Sequence, residues 1–343
     1  MQHIRRLSFR ALLAFSAVSL AGVTACGGSA TNEDSNSEIV TVYTGRHYGI
    51  ETVFEKFTAE TGIRVRFTTG SDPELRERLI AESNNTQADV IITADAANIS
   101  LASESGVLSA VYSDTLRSSI PEELRAADGT WFALSQRLRV VMYATERVSA
   151  PPTTYAELGD PQWKGRLCLR PSTHPYTQSL VAGLINNLGE EEALKIVTSW
   201  VDNEPLYINS DSDIIGAMVD GECDVALANS YYLARLLGEN NDLPVGLIWP
   251  DQDGFGAHLN VSAAGVTASA PNRDGAIRLL EWLATDGQKI FSDANNEFPA
   301  DPNVAPGEII ASFGTFIADS ASVRELGRLN PDAVALLATA RYE

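Results

Sequence analysis

The feature that most constrains the fold of this 343-residue sequence is a repeated change from the residue spacing of a β-strand to that of an α-helix. Apolar residues at 39–42, 63–67 and 88–93 alternate or run together, which predicts strands. Between them, apolar residues three and four positions apart at 50–57 and 75–80 predict helices. The order strand, helix, strand, helix, strand indicates an α/β fold.

The second half of the sequence repeats the pattern. Strands are predicted at 166–170 and 224–229, and helices at 177–187, 190–201 and 214–219. We therefore expect a second α/β half and a sheet that is mainly parallel.

Two extended segments rich in β-forming residues, 137–145 and 259–268, have the pattern expected of strands that cross between two lobes. Helices predicted at 274–285 and 332–340 would then pack back on the outside.

The first 25 residues have the pattern of a secretory signal peptide. They contain three arginines and no acidic residue, and an apolar run at 11–23 precedes Cys26. Small residues before Cys26 and Gly27 after it indicate a bacterial lipoprotein signal, in which Cys26 becomes the lipidated first residue. A transmembrane anchor is the alternative, but the run is shorter than the ~20 apolar residues that a spanning helix needs. We expect an exported protein on the outer face of the cytoplasmic membrane, or in the periplasm.

Residues 26–38 are small and polar without periodicity, which predicts a flexible tether between Cys26 and the folded body. The formal net charge of the whole chain is -20, and this excess of acidic residues argues against nucleic acid as a partner. We expect a monomer.

Tyrosines and one histidine follow three of the predicted strands. Open parallel sheets bind ligands beyond the carboxyl ends of their strands. The side chains at these positions are His47, Tyr48, Tyr176, Tyr231 and Tyr232. Because a phenol has an unperturbed pKa of roughly 10, it becomes a good ligand only beside a strongly Lewis-acidic ion, ferric iron above all.

Each of these residues also has a simpler interpretation. A tyrosine pair is commonly half-buried packing, and a lone loop histidine is commonly just solvated. Adjacent strand residues point to opposite faces, so Tyr231 and Tyr232 can reach one ion only if the chain leaves strand geometry there. Ser230 is a suitable N-cap for a helix over 231–238, which would provide that change.

Several segments resemble the ferric-iron-binding substrate-binding proteins of ABC importers, the FutA- and FbpA-like group. The resemblance covers residues 39–343. The segments that carry it are 43–48 (Tyr-Thr-Gly-Arg-His-Tyr), 161–166 (Pro-Gln-Trp-Lys-Gly-Arg), 176–179 (Tyr-Thr-Gln-Ser), 228–236 (Ala-Asn-Ser-Tyr-Tyr-Leu-Ala-Arg-Leu) and 257–262 (Ala-His-Leu-Asn-Val-Ser).

This resemblance implies an α/β, two-lobe periplasmic-binding-protein type II fold with two hinge-crossing strands. Lobe one would comprise residues 39–138 and 262–316, and lobe two residues 139–261 and 317–343. The implied cargo is Fe3+, with Fe2+ as an alternative, and the implied partner is an ABC permease.

The same resemblance implies a ligand set of one imidazole and four phenolates. The residues before one of these tyrosines, Tyr176, differ from the family pattern. The implied ligands are His47, Tyr48, Tyr176, Tyr231 and Tyr232. The pair His174-Pro175 before Tyr176 differs from the usual family residues, so His174 either binds the ion or lines the cleft. A binding protein for a polyamine, thiamine or an oxyanion is the alternative function.

Four phenolates exceed the charge of a ferric ion by one, so a nearby cation should help. Arg235, one helical turn after Tyr231, is the best candidate, and Arg46, Arg137 and Arg139 are others. The alternative role for these arginines is in salt bridges, which contribute under ~1 kcal/mol each when exposed.

Cys168 and Cys223 remain once Cys26 is lipidated, and an even pair in an exported chain is more often a disulfide than a metal site. Some members of the family that this sequence resembles have cysteines at these neighbouring strands, which favours the disulfide. The sequence contains no Gly-x-Ser-x-Gly, His-Glu-x-x-His or Walker motif, so we expect no enzymatic activity.

Overall fold

A computed structural model describes residues 39–319, 321 and 323–343 of the chain. The predicted signal peptide and tether, Cys26 included, lie outside the described residues. Within the described ranges, no helix combines the length and apolar character needed to cross a membrane.

Strands and helices alternate along most of the described chain. The strands are β1 (Ile39–Thr44), β2 (Arg64–Thr69), β3 (Val90–Thr93), β4 (Phe132–Ala144), β5 (Leu167–Leu169), β6 (Leu206–Tyr207), β7 (Val225–Asn229), β8 (Val245–Ile248), β9 (Leu259–Val266) and β10 (Phe298–Pro299). The helices are α1 (Ile50–Thr61), α2 (Asp72–Glu82), α3 (Ala96–Glu104), α4 (Asp114–Ser119), α5 (Pro175–Leu188), α6 (Glu190–Asp202), α7 (Asp211–Asp220), α8 (Ser230–Glu239), α9 (Arg273–Ala284), α10 (Gln288–Ala294), α11 (Glu308–Ser312), α12 (Val323–Arg328) and α13 (Asn330–Thr339).

Local sequence explains the first of these elements. The apolar residues of α1 form one buried face, and the helix ends at Gly62, whose φ of 76° is readily adopted by glycine. Ser71 and Glu74 form a capping box at the start of α2. β1 pairs in parallel with both β2 and β3, so the predicted β-α-β-α-β opening is confirmed.

The sheet has the strand order β2-β1-β3-β9-β4-β7-β5-β6, with β8 and β10 also paired to β4. The expectation of a mainly parallel sheet is wrong. Parallel pairs occur within each half, whereas every described pair that includes β4 or β9 is antiparallel. Apolar spacing predicts that a segment is a strand but carries no information on its direction, which explains the error.

The long strand β4 connects the two halves. Its first part, up to Leu138, pairs with β9, and its second part, from Arg139, pairs with β7 and β8. β9 pairs only with β3 and with the first part of β4 in the described sheet, and the carbonyl of His258 just before it accepts the backbone N–H of Arg139 at 3.0 Å.

Buried apolar side chains form three clusters. The first comes from residues 40–134 and 261–300, and the second joins residues 141–227 to the C-terminal residues 326–342. The third surrounds α7 and β7 and includes Phe298 and Ile310, which belong to the segment expected in lobe one. The residue boundaries of the lobes therefore stay a prediction.

Cys168 on β5 and Cys223, two residues before β7, form a disulfide with their Cα atoms 5.9 Å apart. Because β5 and β7 are parallel neighbours, the disulfide joins the two strands near the start of β7.

Candidate metal centre

Three tyrosines meet where two neighbouring strands end. Tyr176 lies in the first turn of α5, after β5, and Tyr231 and Tyr232 lie in the first turn of α8, after β7. β5 and β7 are parallel, so their carboxyl ends share one edge of the sheet. The hydroxyl oxygens of Tyr176 and Tyr231 are 3.3 Å apart. The rings of Tyr231 and Tyr232 stack with centroids 4.1 Å apart.

The change from strand to helix at residue 230 brings the tyrosine pair to one side. Successive helical residues are about 100° apart around the axis, whereas successive strand residues point to opposite faces. Helix α8 begins at Ser230, so the N-cap is Asn229 and not Ser230 as the sequence predicts. The side chain of Asn229 makes no capping hydrogen bond, and its backbone N–H donates instead to Oδ2 of Asp211 at 3.0 Å.

Tyr48 approaches this group from the other half of the molecule. The Arg235 guanidinium carbon lies 5.5 Å from the ring centroid of Tyr48 and 5.2 Å from that of Tyr232. Arg235 therefore lies against one tyrosine from each half, in a cation–π geometry. Tyr48 is 47% exposed, unlike Tyr231, which is 5% exposed.

His47 is exposed, and its ring lies 4.2 Å from the ring of Tyr48. The structure thus brings together Tyr176, Tyr231 and Tyr232 and places Tyr48 beside them through Arg235. His47 accompanies Tyr48 at the outer side of this group.

The other predicted arginines divide into two groups. Arg137 is fully buried, with its guanidinium carbon 5.5 Å from the Tyr176 ring centroid and Nη1 3.9 Å from Oε1 of Glu297. Arg46 binds the same Glu297 oxygen at 3.0 Å. Arg139 instead binds Asp211, with Nη1 2.6 Å from Oδ2, which is the salt-bridge role that the sequence left open.

Burial controls the acidity of the phenols. It raises the pKa of Tyr231 well above the usual value, and the neighbouring Tyr176 and Tyr232 raise that pKa further, against a smaller opposing effect of Arg137 and Arg46. Burial, with a contribution from Tyr176, raises the pKa of Tyr232 to about 12. Without a bound ion, these two phenols keep their protons at neutral pH.

Arg137 keeps its positive charge although its side chain is fully buried. Burial alone would lower its pKa, but Tyr176, Glu297 and Tyr231 raise the pKa further than burial lowers it. The guanidinium therefore stays charged inside the protein, next to the place where phenolates would form.

His174 caps the helix that carries Tyr176. Its Nδ1 accepts the backbone N–H of Tyr176 at 3.2 Å, and its ring lies 4.6 Å from the Tyr176 ring. Burial, followed by the charges of Arg170 and Arg139, lowers the pKa of His174 to about 4, so its imidazole is neutral. The structure gives His174 this capping role, which the sequence did not indicate.

The sequence also did not single out Glu297 and Asp211, the buried carboxylates that hold these arginines. Both lie far along the chain from their partners, and nothing in their spacing separates them from the other acidic residues.

The donor set suits a hard, highly charged ion. Among the described residues, no group of three or more histidine, cysteine, aspartate or glutamate side chains is arranged to hold a metal. The candidate centre depends on phenol oxygens, which become hard anionic ligands once deprotonated.

Comparison with known proteins decides the family. Residues 52–316 match the family model of the bacterial extracellular solute-binding proteins. This chain belongs to that family. The solute-binding protein is 41% identical over 300 residues to iron uptake protein A1 of Synechocystis sp., a match that covers 84% of this chain and 83% of the relative.

Solved structures agree with this assignment. A Trichodesmium FutA protein in complex with iron and citrate superposes on the solute-binding protein with a TM-score of 0.84 and 37% identity, covering 89% of this chain and 100% of that one. The ferric binding protein from Campylobacter jejuni gives a TM-score of 0.81 and 32% identity, covering 89% and 100%. The expected type II periplasmic-binding-protein fold and the resemblance to ferric-iron-binding proteins are confirmed.

Proposed function

We propose that this solute-binding protein captures ferric iron between its two halves and delivers it to an ABC permease. The proposed ligands are the phenolates of Tyr48, Tyr176, Tyr231 and Tyr232, with His47 as a further donor. The observation that carries the proposal is the 3.3 Å separation of the Tyr176 and Tyr231 oxygens, with Tyr232 stacked on Tyr231.

The charges around the tyrosines suit this cargo. Ferric iron displaces the phenol protons because the ion attracts the phenolate form strongly. Four phenolates leave the complex with one excess negative charge. Arg235 lies against the rings of Tyr48 and Tyr232, and Arg137 lies against that of Tyr176, so two cations stand close to the excess charge.

Capture would proceed as a two-lobe clamp. The ion docks first on Tyr176, Tyr231 and Tyr232, which one half presents together. Closure about β4 then brings in Tyr48 and His47 from the other half and completes the coordination. The closed form is the one that the permease receives, and no chemical turnover is involved.

The protein would work outside the cytoplasm, as its family name implies. We place it as a monomeric lipoprotein anchored through Cys26, on the strength of the signal-peptide pattern and the small residues before Cys26. The tether at 26–38 would let the folded body reach the permease.

A visible spectrum tests the proposed cargo. Adding ferric citrate to the purified protein should produce a phenolate-to-iron charge-transfer band, which Tyr231→Phe and Tyr232→Phe each abolish or strongly reduce. Tyr112→Phe is the matched control because Tyr112 is 80% exposed and outside the site, and it should retain the full band. Full colour and affinity in the Tyr231 and Tyr232 variants would refute the ligand assignment.

Calorimetric binding of spermidine, thiamine or phosphate by a protein that gives no iron band would favour the alternative function.

A further inference from the structure

A buried carboxylate, Asp211, lies behind the tyrosines. It is the first residue of α7 and is fully buried. Its Oδ2 accepts hydrogen bonds from Nη1 of Arg139 at 2.6 Å and from the backbone N–H of Asn229 at 3.0 Å. Its Oδ1 is 3.6 Å from Nη1 of Arg170. One side chain thus interacts with three separate segments.

Two of the three partners stand at the ends of strands that lead to the candidate site, and the third lies on the crossing strand β4. Asn229 is the last residue of β7, two positions before Tyr231, and Arg170 follows β5, six positions before Tyr176. Arg139 lies on β4 directly opposite Asn229 in the strand register, at the point where β4 passes from one half to the other. The Asp211 carboxylate therefore connects the ends of β5 and β7 to the crossing strand.

Ser212, the next residue of α7, holds Arg235, the arginine beside the tyrosines. The hydroxyl of Ser212 accepts a hydrogen bond from Nη2 of Arg235 at 2.7 Å, and Arg235 lies against Tyr48 and Tyr232. The first turn of α7 thus fixes both the backbone before the tyrosine pair and the arginine beside it.

We propose that Asp211 is a positioning residue for iron binding, which holds the ends of β5 and β7 so that Tyr176 and the Tyr231–Tyr232 pair face one ion. This inference rests on the proposed ferric-iron site. Asp211 does not touch the ion; it acts through the backbone of Asn229 and through Arg139 and Arg170.

The sign of the effect separates positioning from simple electrostatics. An iron complex of four phenolates carries a net negative charge, so the negative charge of Asp211 opposes its formation. Neutralising Asp211 would by charge alone strengthen iron binding. A weaker iron complex after neutralisation must therefore come from lost geometry.

Asp224 provides a matched control. It precedes β7 at the end opposite the tyrosines, is also buried, and also receives two arginines, Arg147 and Arg166, with Nε of Arg166 2.6 Å from Oδ2. Asp211→Asn and Asp224→Asn each remove one buried carboxylate charge from a pair of arginines. Only Asp211→Asn removes the charge at the end of β7 that the ligand tyrosines follow.

The experiment compares these two variants with the wild-type protein by ferric citrate titration, at temperatures where thermal denaturation shows all three folded. Asp211→Asn should lower iron affinity about 10- to 100-fold, the usual effect of losing a group that orients a metal ligand. It should also shift the charge-transfer band. Asp224→Asn should lower the melting temperature yet keep the wild-type band and affinity.

Equal or tighter iron binding by Asp211→Asn, or an equal loss in both variants, would overturn the positioning role. A wild-type protein without the band would instead refute the proposed function, so the two failures are distinguishable. If Asp211→Asn does not fold, Arg170→Lys decides the question, since it keeps the charge and alters the contact with Asp211. A loss of affinity in Arg170→Lys supports the proposal, and unchanged affinity overturns it.

Discussion

At the scale of single residues, the candidate site combines buried phenols with buried cations. Burial raises the pKa of Tyr231 well above its usual range and that of Tyr232 to about 12, so these phenols are poor ligands for weakly acidic ions. Arg137, itself fully buried, stands beside Tyr176 and offsets part of the cost of forming phenolates there. This combination favours a triply charged ion over a doubly charged one.

Tyr48 and His47 should contribute unequally to iron binding. Tyr48→Phe removes an anionic donor, whereas His47→Ala removes a neutral, exposed one. We expect Tyr48→Phe to weaken binding on the order of 100-fold, about 2.8 kcal/mol, and His47→Ala to weaken it less. Competition with nitrilotriacetate, followed at the charge-transfer band, measures both. A larger loss from His47→Ala would reverse the assigned order of the two ligands.

Asp72 should make stability depend on pH. Burial, and then the charge of Asp95, raises the pKa of Asp72 to about 7, above the roughly 3.9 of an unfolded aspartate. Because the pKa is higher in the folded state, the ionised carboxylate destabilises the fold. The free-energy cost of this charge is absent below about pH 4, grows as pH rises and levels off above about pH 7.

Asp72→Asn removes that cost while keeping an oxygen to accept the Ala94 N–H. The variant should be more stable than the wild-type protein at pH 8, by a margin that shrinks on the order of 1 kcal/mol per pH unit between pH 7 and pH 4. Urea unfolding of the iron-free proteins measures this. A margin independent of pH would contradict the role given to burial.

The sequence predicts the tyrosines because each follows a strand, and strand ends are where such sheets bind ligands. It does not predict Asp211 or Glu297, since a single acidic residue has no periodicity and its partners are distant in sequence. Nor does it predict that His174 caps α5, because a histidine lacks the short side chain typical of N-caps.

At the scale of elements, the position of the site follows from two parallel neighbours, β5 and β7, each followed by a helix. Hydrophobic spacing predicts these strands and helices to within a few residues. It does not predict that β4 and β9 run antiparallel to their neighbours, because strand direction is determined by long-range pairing.

The disulfide between Cys168 and Cys223 should stabilise this half without affecting ligand geometry. It joins the middle of β5 to Cys223, two residues before β7, and the tyrosines follow the ends of both strands. Replacing both cysteines with serine should lower the free energy of unfolding by about 2–4 kcal/mol. The iron band should be unchanged in the folded variant. Loss of the band with folding intact would mean that the disulfide also positions the tyrosines.

In the whole molecule, the two halves joined by β4 both contribute tyrosines to the candidate site. Arg235, held by Ser212 in one half, lies against Tyr48 of the other half. If the protein closes over ferric iron as proposed, Arg235 would stand close to the excess negative charge of the complex.

Acidification should release the cargo. Below the raised pKa values of Tyr231 and Tyr232, each of these phenols must lose a proton to bind iron, so affinity falls about tenfold per unit drop in pH for each proton released. A titration of the loaded protein from pH 8 to pH 5 should show a steep loss of the charge-transfer band. A flat profile over this range would mean that phenolates are not the ligands.

A ferric ion bound by the tyrosines can be located with an anomalous difference map, measured at the iron absorption edge on crystals grown with ferric iron. We expect one strong peak within coordination distance of the hydroxyl oxygens of Tyr48, Tyr176, Tyr231 and Tyr232. A peak elsewhere, such as in the acidic groove lined by Glu122, Glu123 and Asp128, with none at the tyrosines, would contradict it.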